Sequence, residues 1–354
     1  MSLIDNFKSK ADIDGVSYLK VRDAVIAKVT DLGFNYEEVQ EEEKVSVKLS
    51  VSEISFSNKD QGVGLDLCAS NLSTLCTIKE FVHKRLLDGI PEAAAALTWL
   101  DGQKEGDLPV NFRLATVVSS EKLGEHFIRI RLAAQNLADF DKEQSHFSFV
   151  LPQPNDTAPQ WPYVDRQGRV VWPKNEKTLH RSVYTIRQID VAQGWFDVDI
   201  FVNKGGRTYQ WALSAAPGDI VGITGPTGRL LPKYSHKMLI AADETGYPSV
   251  ASLLSSLPEG CHGDIILVGN GAIDYPMPSH RNFQVQHIDR TTDKAAFVSC
   301  LQTIPVDVNT QVWLASESKE VRGIRDYYRN EIGITKANSY MAGFWAKKEE
   351  ALAK

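Results

Sequence analysis

Cysteine is scarce: Cys68, Cys76, Cys261 and Cys300 among 354 residues form neither a CxxC pair nor a dense framework. That usage predicts reduced thiols, a cytoplasmic chain and no cysteine-held zinc or iron–sulfur cluster. The eight histidines are scattered without metal-ligand spacing and no HExxH occurs, so no metal site is expected. A GxSxG elbow and a Walker A sequence are also missing, which leaves hydrolases and phosphotransferases without visible machinery and singles out no catalytic acid, base or nucleophile. Long apolar runs are absent: Ala93–Leu100 falls far short of the ~20 residues a bilayer span needs, and Met1–Gly15 lacks the apolar stretch of a secretory signal. With a net charge of −6 and no basic tail, the chain has no phosphate-tracking groove for nucleic acid.

What is present is ordinary globular material, 43% hydrophobic and 24% charged, in a length that predicts two or three domains. Residues 1–107 carry 12 basic and 19 acidic side chains, whereas 108–354 are nearly balanced. This step in charge coincides with the polar, Gly- and Pro-bearing stretch Asp101–Pro109, read as a linker. Before it, helical spacing runs from Ser17 to about Leu32 with Gly33 as the stop, β-like runs follow at Val45–Val51, Glu53–Ser57 and Val63–Leu67, and a second helix spans about Ser73–Leu87 behind the cap Asn71. The α-β-β-β-α order predicts a small α+β domain over 1–103, with Glu41–Glu43 as a solvated turn.

Residues 108–232 are strand-rich, with runs at Phe112–Val118, His126–Arg131, His146–Leu151, Ser182–Ile186, Trp195–Val202 and Asp219–Ile223. Closely spaced antiparallel strands of this kind predict a small β-barrel, from which Gln153–Lys174, with its four prolines, makes a long excursion. Residues 233–354 alternate strand and helix and predict an α/β domain whose parallel sheet binds a nucleotide at the strands' carboxyl ends.

Within the barrel, Arg181-Ser-Val-Tyr184-Thr185 supplies what a flavin requires: a cation for its pyrophosphate, a flat side chain, and a small hydroxyl. Strict alternation puts Arg181 and Thr185 on one face and Tyr184 on the other, so the strand must twist or bulge to serve one ligand; the alternative is a plain strand with a core tyrosine. Downstream, Gly205-Gly206 before a helix start near Tyr209–Ala212 suits close approach to phosphates, or is simply a turn between strands. Arg322, Arg325 and Arg329 recur at i, i+3 and i+7, a stripe able to clamp the 2′-phosphate of NADPH or merely to face solvent. Trp345 near the end stacks over a cofactor or docks on the core.

The ordered series RxYT at 181–185, the GG…WA segment at 205–212, Pro217-Gly-Asp219, Gly225-Pro-Thr-Gly228, Ala242-Asp-Glu-Thr-Gly-Tyr-Pro248, Trp313-Leu-Ala-Ser-Glu317 and Gly343-Phe-Trp345 resembles the siderophore-interacting protein family, over roughly 108–350. These are FAD-dependent ferric-siderophore reductases related to ferredoxin–NADP reductases. The resemblance implies a FAD-binding barrel at 108–232 and an NAD(P)H-binding α/β domain at 233–354. It also implies FAD held by Arg181, Tyr184 and Thr185, with Asn203, Thr208, Trp211 and Ala212 nearby, and a nicotinamide dinucleotide at the turn of Asp243, Glu244 and Thr245, which is otherwise a capped helix N-terminus. Around Ser17-Tyr-Leu-Lys20 and Leu97-Thr-Trp-Leu100 the first segment is similar to a small domain often fused ahead of such reductases, whose role the resemblance does not give.

The chain departs from the family pattern at Asn203, at Gly206–Tyr209, at Ser148 and Ala346, where relatives carry Lys and Arg, and at Ser316. Loss of those two cations leaves Arg187, Arg207, Arg229, Lys347 and Lys348 as substitutes for an anionic siderophore. The expected activity passes electrons from NADPH or NADH through FAD to ferric siderophore. The alternatives are a reductase fed by ferredoxin and a siderophore-binding or partner-docking protein without turnover.

Overall fold

The computed structural model describes residues 7–49, 51–140, 146–203, 205–227, 236–271, 273–293 and 296–347. The chain falls into two compact units, one built of Met1–Arg113, Val150–Arg181 and Gly222–Thr227, the other of Leu114–Phe149, Ser182–Val221 and Gly228–Lys354.

In the first unit, β1 (Phe7–Asp14) leads into α1 (Tyr18–Asp31), then β2 (Tyr36–Val39), β3 (Lys44–Leu49), β4 (Ser52–Lys59), β5 (Gly62–Ala69), α2 (Leu72–Gly89), α3 (Pro91–Ala96) and β6 (Leu97–Trp99). The six strands form one sheet in the order β2-β3-β4-β5-β1-β6. The expected α-β-β-β-α order therefore lacked three strands. β1 escapes detection because its inward side, Phe7, Ser9, Ala11 and Ile13, puts small residues between its two large apolar ones, and it is made a strand by antiparallel pairing with β5. Both helices lay an apolar stripe on this sheet, α1 with Tyr18 and Val21, α2 with Leu75, Ile78, Val82 and Leu86. Asn71 caps α2 as expected, its Oδ1 accepting the Thr74 N–H at 2.8 Å. Glu41 and Glu42 lie in an exposed 3₁₀ turn.

The middle of the chain adds β7 (Phe112–Leu123), β8 (Phe127–Ala134), β9 (His146–Leu151), β10 (Tyr163–Val164), β11 (Val170–Val171), β12 (His180–Thr185), β13 (Gln188–Asp190), β14 (Trp195–Phe201), α4 (Arg207–Ser214) and β15 (Ile220–Thr227). Seven of these strands make an antiparallel sheet in the order β12-β9-β15-β7-β8-β14-β13, while β10 and β11 pair into a hairpin within the excursion. On β8, Ile130 and Leu132 face the core and Arg129 and Arg131 face the other way. Each arginine meets an aspartate directly across on β14: Arg129 binds Asp199 at 2.7 and 2.8 Å, and Arg131 binds Asp197 at 2.7 and 2.8 Å.

The rest is β16 (Lys237–Ala242), α5 (Tyr247–Ser256), β17 (His262–Gly269), β18 (Phe283–Asp289), α6 (Ala296–Thr303), β19 (Gln311–Glu317), α7 (Ser318–Asn330) and β20 (Ser339–Trp345). The strands run parallel in the order β18-β17-β16-β19-β20. Alternate residues are buried on both faces: Ile240, Leu267 and Trp313 pack with α5, and Leu239, Ile266 and Leu314 pack with α6 and α7. The sequence pattern gave no sign of β20, whose Ala342 and Gly343 interrupt any apolar alternation.

Phe127 of β8 belongs to the same core as α5, its ring 4.6 Å from Tyr275 and 6.4 Å from Tyr247. The Tyr275 hydroxyl donates to Asp199 at 2.7 Å, so one fully buried carboxylate serves both the antiparallel sheet and the segment after β17. Its hydrogen bonds raise the Arg129 guanidinium above its ordinary pKa, and burial followed by the Asp199 charge raises the Tyr275 phenol. Asp199→Ala leaves Arg129 without its partner and is expected to lower stability by about 3 kcal/mol in urea unfolding, with Asp199→Asn costing less.

Candidate functional site

β12 ends at Thr185, and its side chains divide along its length. Arg181 and Val183 are exposed, Ser182 and Tyr184 are half-buried, and Thr185, where the strand stops alternating, is buried with Ile186 after it. The Tyr184 ring meets Phe149 edge-on at 5.3 Å, and Phe149 meets Trp211 of α4 at 5.1 Å. Thr208, buried in the first turn of α4, bonds the Ser182 hydroxyl at 2.8 Å and the Tyr184 phenol. Burial raises the Tyr184 pKa against the pull of Thr208, so the phenol keeps its proton. Tyr184, Thr208 and Trp211 are therefore one cluster around Phe149, and Ala212 is buried one residue beyond.

The turn before α4 is closed by Asn203, whose Oδ1 accepts the Gly205 N–H at 3.2 Å and whose carbonyl accepts the Gly206 N–H at 2.8 Å. Gly206 is the N-cap and has no side chain to satisfy the first-turn amides. Arg207 opens the helix half-buried, and burial lowers its pKa.

Thr185 reaches across to the parallel-sheet segment: its hydroxyl lies 2.5 Å from that of Ser249, in the first turn of α5, with both groups buried. The N-cap of α5, Gly246, makes no side-chain cap, and a Cβ there would stand 2.8 Å from the Ala242 Cβ and 3.2 Å from that of Ala315. α7 differs. Glu317 caps it, accepting the Lys319 N–H at 2.8 Å and the Glu320 N–H at 3.2 Å, so its own carboxylate occupies that helix end.

Between these helices Asp243, fully buried, is a hub. One oxygen accepts the Thr245 amide at 3.0 Å and hydroxyl at 2.5 Å; the other accepts the Ser316 hydroxyl at 3.1 Å and the Trp345 indole N–H at 2.7 Å. Asp243, Thr245 and Trp345 are thus brought together, and Ser316, a departure from the family pattern, joins them. Glu244 turns away and accepts from the Asn270 amide and side chain at 2.8 and 3.0 Å, with burial raising its pKa.

The remaining cations are dispersed. Arg322 is exposed on α7, whereas Arg325 donates to the Met341 carbonyl at 2.6 Å. Arg187 is half-buried, with its backbone N–H on the Asp197 carbonyl at 2.8 Å. Lys347 is exposed; Arg229 and Lys348 lie outside the described residues. Arg181, paired with no carboxylate among the described residues, lies over the ring of Trp172 at 4.4 Å.

Residues 116–230 match the siderophore-interacting FAD-binding domain, and residues 235–348 match the siderophore-interacting protein model. The chain belongs to the siderophore-interacting protein family. It is thereby a FAD-binding oxidoreductase. The ferric vibriobactin reductase ViuB of Vibrio cholerae is 26% identical over 254 residues, 68% of this chain and 92% of that reductase. The NADPH-dependent ferric-chelate reductase of Escherichia coli is 25% identical over 229 residues, 63% of this chain and 88% of the other. A siderophore utilization protein from T. fusca shares the fold with a TM-score of 0.60 at 20% identity, covering 69% of this chain and 96% of that one.

The residues present fit FAD in kind: a guanidinium with no carboxylate partner among the described residues, a tyrosine in an aromatic cluster, a terminal threonine hydroxyl and a glycine-capped helix start. Sequence reasoning missed Ser249, Ser182, Phe149 and Trp172. Only Ser249 left a signal, as a small hydroxyl following Pro248 at a helix start.

The family-variant stretches at 146–149 and 344–346 meet, the His146 ring standing edge-on to Phe344 at 5.8 Å. Burial pushes the His146 pKa down to about 4. The fold therefore holds the neutral imidazole, while the unfolded chain takes a proton near pH ~6.5. This contribution to stability is complete above about pH 6.5 and is lost as pH falls towards about 4. His146→Gln is expected to flatten that part of the stability profile, measured by urea unfolding between pH 7 and 4.5.

Proposed function

We propose that this chain is a cytoplasmic NAD(P)H-dependent ferric-siderophore reductase, divided into a small α+β domain at 1–103, a FAD-binding β-barrel at 108–232 and an NAD(P)H-binding α/β domain at 233–354. The ends of the two family matches, at 230 and 235, support the second boundary. The observation that carries the reading is the buried hydroxyl pair Thr185–Ser249, which ties the end of the flavin strand to the first turn of α5. That turn begins at a glycine with no side-chain cap at the carboxyl edge of the parallel sheet, where the positive helix end suits a dinucleotide's phosphates.

In this reading Arg181 neutralises the flavin diphosphate. Tyr184, kept protonated, offers its ring and phenol, and Thr185 holds a hydroxyl at the strand's end. Asn203 shapes the turn that presents Thr208, Trp211 and Ala212 on α4. Asp243 fixes Thr245 and Trp345 at the carboxyl edge. Bound FAD would supply the conversion between a two-electron donor and one-electron acceptors. The substrate is ferric iron in hard, anionic oxygen ligands, which hold Fe(III) far more tightly than Fe(II), so reduction releases the metal. Arg187, Arg207, Arg229 and Lys347 are the cations proposed to receive that anionic complex in place of the family's Lys and Arg.

Purified protein is expected to carry a flavin spectrum that bleaches on anaerobic addition of NADPH or NADH and returns with ferric siderophore. Bleaching by reduced ferredoxin and by neither nicotinamide would overturn the donor assignment. Arg181→Ala is expected to weaken FAD binding about tenfold, the loss of one charge-assisted contact, in a fluorescence titration. Arg322, exposed while Arg325 is engaged by Met341, is the stronger candidate for a 2′-phosphate. Arg322→Ala is expected to raise KM for NADPH severalfold and to leave KM for NADH unchanged.

A further inference from the structure

Arg181 is exposed, and the guanidinium carbon lies 4.4 Å from the centre of the Trp172 ring. A guanidinium stacked on an aromatic face keeps its in-plane N–H donors free for an anion, while the ring narrows the orientations the long side chain samples. The value of the platform depends on how firmly the ring itself is held.

Trp172 is held from two directions. Its body packs with Trp161 against Phe112, Val150 and Leu179, and its indole N–H donates to Glu80 of α2 at 3.2 Å. The chain reaches Trp172 through the β10–β11 hairpin, and that hairpin is fastened to the N-terminal sheet. The Trp99 N–H donates to the Gln167 carbonyl at 2.8 Å, and the Gln167 side chain donates to the Ala95 carbonyl at 2.7 Å. Gly168, at φ 73°, lies so close to Trp99 that a Cβ would come within 2.8 Å of the Trp99 Cβ, which admits only glycine there. All of these residues belong to the first unit.

We propose that Trp172 is a positioning residue for Arg181, and that residues 1–100, through Glu80 and the anchored hairpin, serve to hold this platform so that the arginine is pre-set for the flavin diphosphate. This gives the N-terminal module a role in cofactor retention. The inference rests on the reading of Arg181 as a FAD contact.

The test uses the full-length apoprotein titrated with FAD, and with riboflavin, which carries no phosphate, followed by flavin fluorescence. Trp172→Ala is expected to weaken FAD about five- to tenfold, Trp172→Phe to restore most of the affinity, and Glu80→Ala to cost about twofold, with riboflavin affinity unmoved throughout. In an Arg181→Ala background neither Trp172→Ala nor Glu80→Ala should have a further effect on FAD. Should Trp172→Ala not fold, Glu80→Ala and Trp172→Phe carry the same comparison. Equal losses in the presence and absence of Arg181, or a parallel loss of riboflavin affinity, would overturn the proposal alone. An Arg181→Ala protein with undiminished FAD affinity would instead remove the flavin assignment of Arg181, and this proposal with it.

Discussion

The buried carboxylate of Asp199 is the constraint around which the second unit is arranged. A lone charge in that position would cost several kcal/mol, so its partners must be in place whenever the unit is folded. Those partners come from different parts of the sequence, Arg129 from β8 and Tyr275 from the segment after β17. Phe127 completes the join by sharing one core with Tyr247 and Tyr275. Within the second unit, β8 and β14 are therefore joined to the segment after β17, and the short hydroxyl contact between Thr185 and Ser249 lies in the same unit.

The carboxyl edge of the parallel sheet shows how charge placement distinguishes otherwise similar helix ends. α5 and α7 both begin there, each following a strand. Glu317 fills the end of α7, and an anion approaching it would meet a carboxylate. Gly246 brings α5 no side-chain cap, and there is no room for one. Asp243 stands between the two and accepts from Thr245 and Trp345. The single proton of the Ser316 hydroxyl is shared between Glu320 at 2.7 Å and Asp243 at 3.1 Å.

The first unit joins pieces that lie far apart in sequence. The excursion from the flavin-binding segment is a hairpin whose turn is hydrogen-bonded to β6 and whose continuation, Trp172, is bonded to α2. The linker read at 101–109 is thus bridged by contacts from elsewhere in the chain: the Val164 carbonyl accepts the Gly106 N–H at 2.8 Å, and the Asp107 carbonyl accepts the Val164 N–H at 2.8 Å.

Much of the architecture was legible in the residues alone. The alternation on β8, the βα order after residue 236 and the cap at Asn71 are local patterns, fixed by backbone geometry and the burial of every second or every third to fourth side chain. The ordered motifs from RxYT to GFW carried the family. β1, β6 and β20 were not legible, because strands whose inward positions are small or too few become strands only by pairing with a neighbour. The partners of the site residues were hidden for the same reason: Ser249 stands 64 residues from Thr185, and Glu80 stands 92 from Trp172. Sequence by itself determined which chemical groups this protein owns and in what order they occur. Tertiary structure decided which of them meet, since hydrogen bonds and stacking act over a few ångströms and are indifferent to distance along the chain.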